Sequence, residues 1–473
     1  MGEKRKASQD LAGYRHPVDN GDTSQPTATN STLTGPAKDD VARDRHYAEL
    51  YAKAPDFQQL ALQDADFARL WNQHKTDFFN DPECVMQLTK TLLKIDFGLQ
   101  LELPNDRLCP PVTNRNNYIL WLKGLLDTSS YEKQARDVVG CDIGTGASCI
   151  YPLLGCTERN TWNFIATDID PKSLEYARKN VTLNNLDERI NVVQRENTDS
   201  LIPLDDLNVH RIAFTMCNPP FYKSEQELVE SAEKKAFPPF TACTGAKVEM
   251  VIEGGEVAFV GRMLKESLVL QERVQWYTSM FGFRTSLLAF VRKLKENKID
   301  NYAVTEFIQG SKTKRWAVAW SFGSMRPSQE LARIAGATFP NSDQPEITEE
   351  MVADLPFRGS VSEFADQLRT ELGKLDLITW EWDADRLEGT GRAAGRVWAR
   401  AWRRMKQRGE VQDANSETAE CVFGFRVSVR FEKDSISVSC RWLEGHDPVT
   451  FDSFRGHLKK TVKSIFIRTS PIV

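Results

Sequence analysis

An asparagine, two prolines and a phenylalanine, Asn218-Pro219-Pro220-Phe221, close the short apolar run RIAFTM. The run reads as a strand, and proline has no N–H to give to a ladder, so the strand must stop there. As plain structure the tetrapeptide is an Asx-Pro turn. As chemistry it is a stiff corner with two carbonyl acceptors, the Asn218 side chain and the Pro219 backbone, followed by an aromatic ring. Pro219 and Pro220 keep the carbonyls fixed, so that both N–H bonds of a planar amino group can be held, and the Phe221 ring stacks on a flat base. An aromatic amine is a poor nucleophile because its lone pair is delocalised. Positioning and preorganisation beside an electrophile are what such a corner supplies, and no general base of unusual pKa is needed.

A second motif supplies the electrophile. In CDIGTGASC (Cys141 to Cys149), Gly144 and Gly146 remove side chains where backbone must approach a ligand, and a helix N-terminus follows. The dinucleotide fingerprint needs a third glycine, where Cys149 stands, and the P-loop needs GK[ST], which is missing. Phosphate binding is disfavoured. The strand WNFIATDID carries Asp168, 24 positions after Gly144, placed to accept hydrogen bonds from both ribose hydroxyls of an adenosine-containing ligand. Its bland alternative is to cap the helix that begins at Pro171. Loop and acid without phosphate chemistry point to S-adenosylmethionine, whose sulfonium methyl is the partner the corner requires.

The elements that must hold these residues follow from periodicity. Residues 1–45 are rich in Asp, Ser, Thr, Gly and Pro and are expected to form a flexible tail. From residue 46, FQQLALQDADFARLW and ECVMQLTKTLLKIDFGL carry helical spacing, with Asp81-Pro82 as a helix start. Thereafter strand and helix alternate, which specifies an α/β domain with a doubly wound, mostly parallel sheet. The domain is expected over 46–325, a linker over 326–352, and a smaller C-terminal α+β domain over 353–473.

Composition narrows the class. The longest apolar runs fall short of a membrane span, and MGEKRKASQD has no apolar signal region, so an intracellular protein is expected. Nine cysteines without CxxC spacing argue against a disulfide framework and a structural zinc, and no metal is expected. A formal net charge of −5 does not favour nucleic acid, so any such partner must find a local basic patch.

Taken together, DIGTGASCIYPLLG, the NPPF box, EGGE (Glu253 to Glu256) and TEFIQG followed by RWAVAWSF resemble the methyltransferase-like protein 16 family, adenine-N6 methyltransferases of U6 small nuclear RNA. The resemblance runs from about residue 46 to 322. It implies a Rossmann-like class I methyltransferase domain, S-adenosylmethionine as cofactor, N6-methyladenosine in a structured RNA as product, and a nuclear location. Carried over residue by residue, it implies that Arg115 in TNRNNYILW pairs with the methionine carboxylate, Gly144 and Ser148 line the loop with Gly146, Asp168 takes the ribose, Thr198 falls by the adenine, and Asn218 faces the reacting centre. Asp168 stands where a glutamate is familiar, and the SKTK loop before Arg315 is one residue longer than the family's.

The basic patch has three candidates. Lys312, Lys314 and Arg315 fall beside the last strand pair, and Lys234, Lys235 and Lys247 flank the segment after NPPF. The run Arg392 to Arg408 has seven basic residues and no acid, with Arg392, Arg396, Arg400 and Arg404 every four positions beside Trp398 and Trp402. That spacing predicts a basic amphipathic helix, read as an RNA contact in preference to a membrane surface or a partner helix. The same residues admit two other functions. One is protein-glutamine N5 methylation, since NPP with an aromatic also serves an amide nitrogen. The other is an RNA-binding sensor of S-adenosylmethionine with slow turnover. Phe221 in place of tyrosine and the arginine-rich run count against the first.

Overall fold

The computed structural model describes residues 36–131, 138–233, 245–309, 313–335, 339–357, 359–410 and 420–469. The N-terminal extension is helical: α1 (Pro36–Glu49), α2 (Phe57–Gln63), α3 (Ala65–Gln73), α4 (Pro82–Phe97) and α5 (Val112–Thr128). Asp81 caps α4 by accepting from the Glu83 and Cys84 amides at 2.8 and 3.2 Å, and Gly98 ends it in the left-handed region at φ 66°. Residues 1–35 of the expected tail lie outside the described residues, and residues 36–45 are helical instead. Helix α1 begins at Pro36, and its Asp44 is held by Lys123 at 2.9 Å and by Arg159 at 2.8 Å. Low hydrophobicity hid this helix, because charge pairing as well as apolar packing seats it.

Seven strands follow, β1 (Val138–Ile143), β2 (Trp162–Asp168), β3 (Ile190–Gln194), β4 (Ile212–Cys217), β5 (Val274–Phe281), β6 (Asn301–Gln309) and β7 (Thr313–Ser321). Their order is 3-2-1-4-5-7-6, parallel except for β7, which runs antiparallel to both of its neighbours. Between them lie α6 (Ile150–Glu158), α7 (Pro171–Leu183), α8 (Glu225–Glu233), α9 (Lys247–Met250), α10 (Gly255–Leu270) and α11 (Arg284–Glu296). Strand order reverses between β1 and β4, and an open α/β sheet binds its ligands beyond the strand C-termini at that point. The glycine loop leaves β1 there, Asp168 ends β2, and Asn218 follows β4.

The C-terminal unit has α12 (Gln329–Ala332) at its approach, then β8 (Glu349–Pro356), α13 (Val361–Gly373), β9 (Thr379–Asp383), β10 (Glu388–Ala393), α14 (Arg400–Gln407), β11 (Phe423–Glu432), β12 (Ser435–Glu444) and α15 (Pro448–Thr469). Its antiparallel sheet, ordered 8-12-11-10-9, forms its own core, in which Phe425, Val427 and Trp442 meet Phe454 and Leu458 of α15 and Leu368 of α13. The stretch expected as a linker is no free tether. Arg326 donates its amide to Leu443 O at 2.8 Å, Trp442 donates to Thr348 O at 2.7 Å, and Ile334 and Phe339 join the core of the preceding domain. Glu444 accepts from Tyr131 at 2.9 Å and from Arg392 at 3.1 Å. No described helix is long and apolar enough to cross a membrane.

Candidate active site

Gly144 and Gly146 adopt φ 73° and 65°, where a side chain would be strained, and a Cβ on Gly144 would meet nothing within 4 Å. That open side is a cradle for a ligand. Cys149, in the third-glycine position, is itself left-handed at φ 50° and receives a contact from the Thr145 hydroxyl at 3.4 Å. Asp168 turns toward the loop. Its Oδ2 accepts the Gly146 amide at 2.8 Å and its Oδ1 the Asp170 amide at 2.9 Å. The helix cap is Asp170 instead, which accepts from Ser173 N at 2.9 Å, so the capping alternative for Asp168 falls away. Burial holds the Asp168 carboxyl above its ordinary value, partly offset by these amides.

Asp142, the last residue but one of β1, is fully buried, and neither of its oxygens makes a hydrogen bond of ordinary geometry. Desolvation pushes its pKa up to about 7, with Thr145 and Arg115 pulling it back and Asp168 adding to the rise. Arg115 lies near the start of α5, where it is buried, donates to the Tyr151 hydroxyl at 3.0 Å and stacks over that ring at 5.4 Å. Ser148 is buried in the loop. An unbonded buried carboxylate, a buried guanidinium and an open glycine cradle are a donor and acceptor set that an amino-acid-bearing adenosyl group would complete.

A pH test follows. A folded-state carboxyl near 7 against an ordinary value near 4 means that the native state keeps a proton the unfolded chain has released. The contribution of Asp142 to ligand-free stability therefore falls as pH rises from about 4 to 7. Glu158, also raised to about 7 by burial, slopes the same way. Asp142→Asn is expected to shift the slope of melting temperature against pH over this window upward, by removing a falling contribution; an unchanged slope would mean that Asp142 is not a buried titrating group.

The NPPF corner is built from three segments. Asn218 Oδ1 is buried without a partner among the described residues. The Tyr222 amide donates to Met250 O at 3.1 Å and the Ile252 amide to Tyr222 O at 2.9 Å, which lays the strap 245–252 beside the corner. The EGGE motif then closes the arrangement. Gly254 turns the chain at φ 75°, and buried Glu256 accepts the Gly282 and Phe283 amides at 2.6 and 3.2 Å. Phe221 packs so tightly on Gly282 that a Cβ there would lie 2.9 Å from Cγ of the ring.

Arg315 takes an unexpected place, its guanidinium 5.3 Å from the Phe221 ring centroid and its Nη1 bonded to Lys314 O at 3.0 Å. The ring expected to stack on a base therefore already carries Arg315. Lys314 is paired with Glu306 at 3.1 Å, and Lys247 with Glu225. Lys312, Lys234 and Lys235 lie outside the described residues. Thr198 is exposed in the turn after β3, next to Asn197, whose carbonyl accepts from Arg262 at 3.0 Å.

The predicted basic helix is half a helix. Arg392 sits in β10, opposite Thr379 and Gly424, and Arg396 lies in the following turn, held by Asp447 at 3.1 Å. Only Arg400 to Gln407 is helical, so the four arginines do not share a face. Strand pairing of Arg392 and the turn at Gly395 override the four-residue spacing. Trp398 is buried in the core with its Nε1 on Ser453 at 3.0 Å, and Trp402 donates to Asp376 at 3.0 Å. Arg400, Arg403 and Arg404 remain exposed. Asp142, Tyr151 and Glu249 were missed at the sequence level. Asp142 could have been found as the acid that opens the glycine motif, whereas Glu249 carries no local signal.

The parallel sheet, the glycine loop over β1, the acid on β2 and the NPPF corner after β4 define a Rossmann-like class I methyltransferase. Residues 37–324 match the model of an RNA methyltransferase family, and the chain belongs to that family. It is 34% identical over 389 residues to the U6 small nuclear RNA (adenine-(43)-N(6))-methyltransferase of Schizosaccharomyces pombe, which covers 82% of this chain and 95% of that one. It is 42% identical over 277 residues to the mouse RNA N(6)-adenosine-methyltransferase METTL16, matching 57% of this chain and spanning half of the mouse protein. Among solved structures, the hMettl16 catalytic domain in complex with the MAT2A 3′UTR hairpin 1 aligns with a TM-score of 0.51 at 41% identity, covering 57% of this chain and 92% of that one.

Proposed function

We propose that this chain methylates adenine N6 in a structured RNA, with U6 small nuclear RNA as the foremost substrate, and that it acts in the nucleus. The observation that carries the reading is the buried, unpartnered Asn218 Oδ1 at a proline-stiffened corner beside the glycine loop. S-adenosylmethionine, when bound, supplies a methyl on a positively charged sulfur. Asp168 and the loop amides would hold the nucleoside end, and Arg115 the carboxylate. Asn218 Oδ1 and the Pro219 carbonyl accept the two N–H bonds of the adenine amino group and aim its nitrogen, while Phe221 fixes the ring plane. The relatives named for U6 small nuclear RNA and the relative solved with an RNA hairpin support the substrate class.

Mass spectrometry of U6 RNA after incubation with the chain and the methyl donor tests the reading. A single adenosine should gain one methyl, and replacing that adenosine should abolish the product. A protein glutamine methylated in its place would overturn it. Imaging of the tagged chain tests the location, with nuclear exclusion as the contrary result.

The exposed Arg400, Arg403 and Arg404 suit phosphate contact by the C-terminal unit. Replacing Arg400 and Arg404 with alanine is expected to weaken RNA binding for all sequences alike and to lower the slope of log affinity against log salt by about 1 per lost contact. A wild-type slope in the double variant would remove α14 from the interface.

A further inference from the structure

One side chain joins the acceptor corner to the cofactor cleft. Glu249, in α9 on the strap beside NPPF, accepts through Oε2 the Ala246 amide at 2.7 Å and the Leu108 amide at 2.9 Å, the latter from a loop 141 residues away in sequence. Its other oxygen lies 3.8 Å from the point that a Cβ on Gly146 would occupy. The Gly146 amide is the one that Asp168 holds. Arg107, next to Leu108, donates to Asp170 at 2.9 Å, so the loop that Glu249 grips is itself pinned behind the ribose acid. From the other side, the strap hangs on Tyr222, the residue after the corner, through the Met250 and Ile252 backbone bonds. Acceptor corner, N-terminal extension and glycine loop thus meet at one carboxylate.

We propose that Glu249 is a positioning residue that couples acceptor binding to cofactor binding, an inference that rests on the reading of this cleft as an RNA adenine methyltransferase site. Adenine seated on Asn218 and Phe221 would restrain the strap further through Tyr222, whose backbone bonds carry Met250 and Ile252. The restrained strap keeps Glu249 on Leu108 and beside Gly146, and the cofactor then binds a loop already held from that side. The coupling runs equally in the other direction. The clasp depends on acceptor geometry more than on charge, because a single oxygen takes both amides.

The test measures the affinity for S-adenosylhomocysteine with and without an acceptor-containing RNA hairpin, by calorimetry on the full chain. In the wild type the hairpin should tighten binding by about 5- to 150-fold. Glu249→Gln should keep most of that factor, since its amide oxygen can replace Oε2. Glu249→Ala should bring it to about 1, with each ligand alone bound within a few fold of wild type. Ala246→Pro keeps the carboxylate and removes one donor at a residue whose φ of −69° suits proline, so it should lower the factor in a folded chain even where the alanine variant does not fold. Wild-type coupling in Glu249→Ala or Ala246→Pro, or no coupling in the wild type, would overturn the proposal. A wild-type chain that binds neither ligand would instead overturn the methyltransferase reading on which it rests.

Discussion

Asn218→Ala is expected to lower kcat for RNA methylation by about 10²- to 10³-fold while leaving cofactor affinity nearly unchanged. The size follows from removing one preorganised polar group at a reacting centre, an effect of about 3 to 4 kcal/mol on the barrier. The side-chain oxygen is buried and unsatisfied, which is costly unless something else completes it. An amino group with two N–H bonds would do so, and it gains most as its nitrogen acquires positive charge during attack. Phe221→Ala is a useful contrast. It removes a stacking face worth about 1–3 kcal/mol, and the loss should appear mainly in KM for the RNA. Single-turnover rates at saturating RNA separate the two. A rate for Asn218→Ala within a few fold of wild type would mean that chemistry does not occur at this corner.

The second large effect is on stability. Lys123→Ala is expected to destabilise the fold by about 3–5 kcal/mol, because it leaves Glu158 buried at 0% exposure with its strongest partner gone. Lys123 Nζ is 2.8 Å from Glu158 and 2.9 Å from Asp44, so the substitution also loosens α1. The melting temperature should fall on the order of 10 °C. Burial raises the Glu158 carboxyl and Lys123 draws it down, so without the lysine it will hold its proton to higher pH. The penalty is then smallest in mild acid, where the carboxyl is neutral, and greatest above pH 7, where the chain must bury an unpaired charge. Adding Glu158→Gln should recover much of the loss. A Lys123→Ala variant as stable as wild type at pH 8 would show that the pair is not buried in solution.

The two experiments probe links of different range. Asn218 and Phe221 are neighbours in sequence, and their proline-bounded spacing already announces a corner. The Lys123 network joins α1, α5 and α6, whose charged residues look like ordinary solvated positions when read along the chain. The basic run from Arg392 shows the opposite failure. Its four-residue spacing looks like one helical face, yet Arg392 is taken into a ladder between β9 and β11, and Arg396 is spent on Asp447. Local propensity yielded there to strand pairing, which depends on partners far away in sequence. Arg315 was legible as a basic residue near the site, but its seat on the Phe221 ring was not.

Features encoded over short distances are legible along the chain: the alternation that specifies a mostly parallel sheet, the glycines that need positive φ, the acid at the end of β2 and the stop at Asn218. Each is a backbone or periodicity constraint that a few adjacent residues satisfy or violate. Packing between distant segments deprives Asp142 and the Asn218 oxygen of hydrogen-bond partners, and it sets Glu249 on the Leu108 amide beside the glycine loop. Desolvation and hydrogen-bond completion are properties of the whole packed assembly, and so no local reading of the chain contains them.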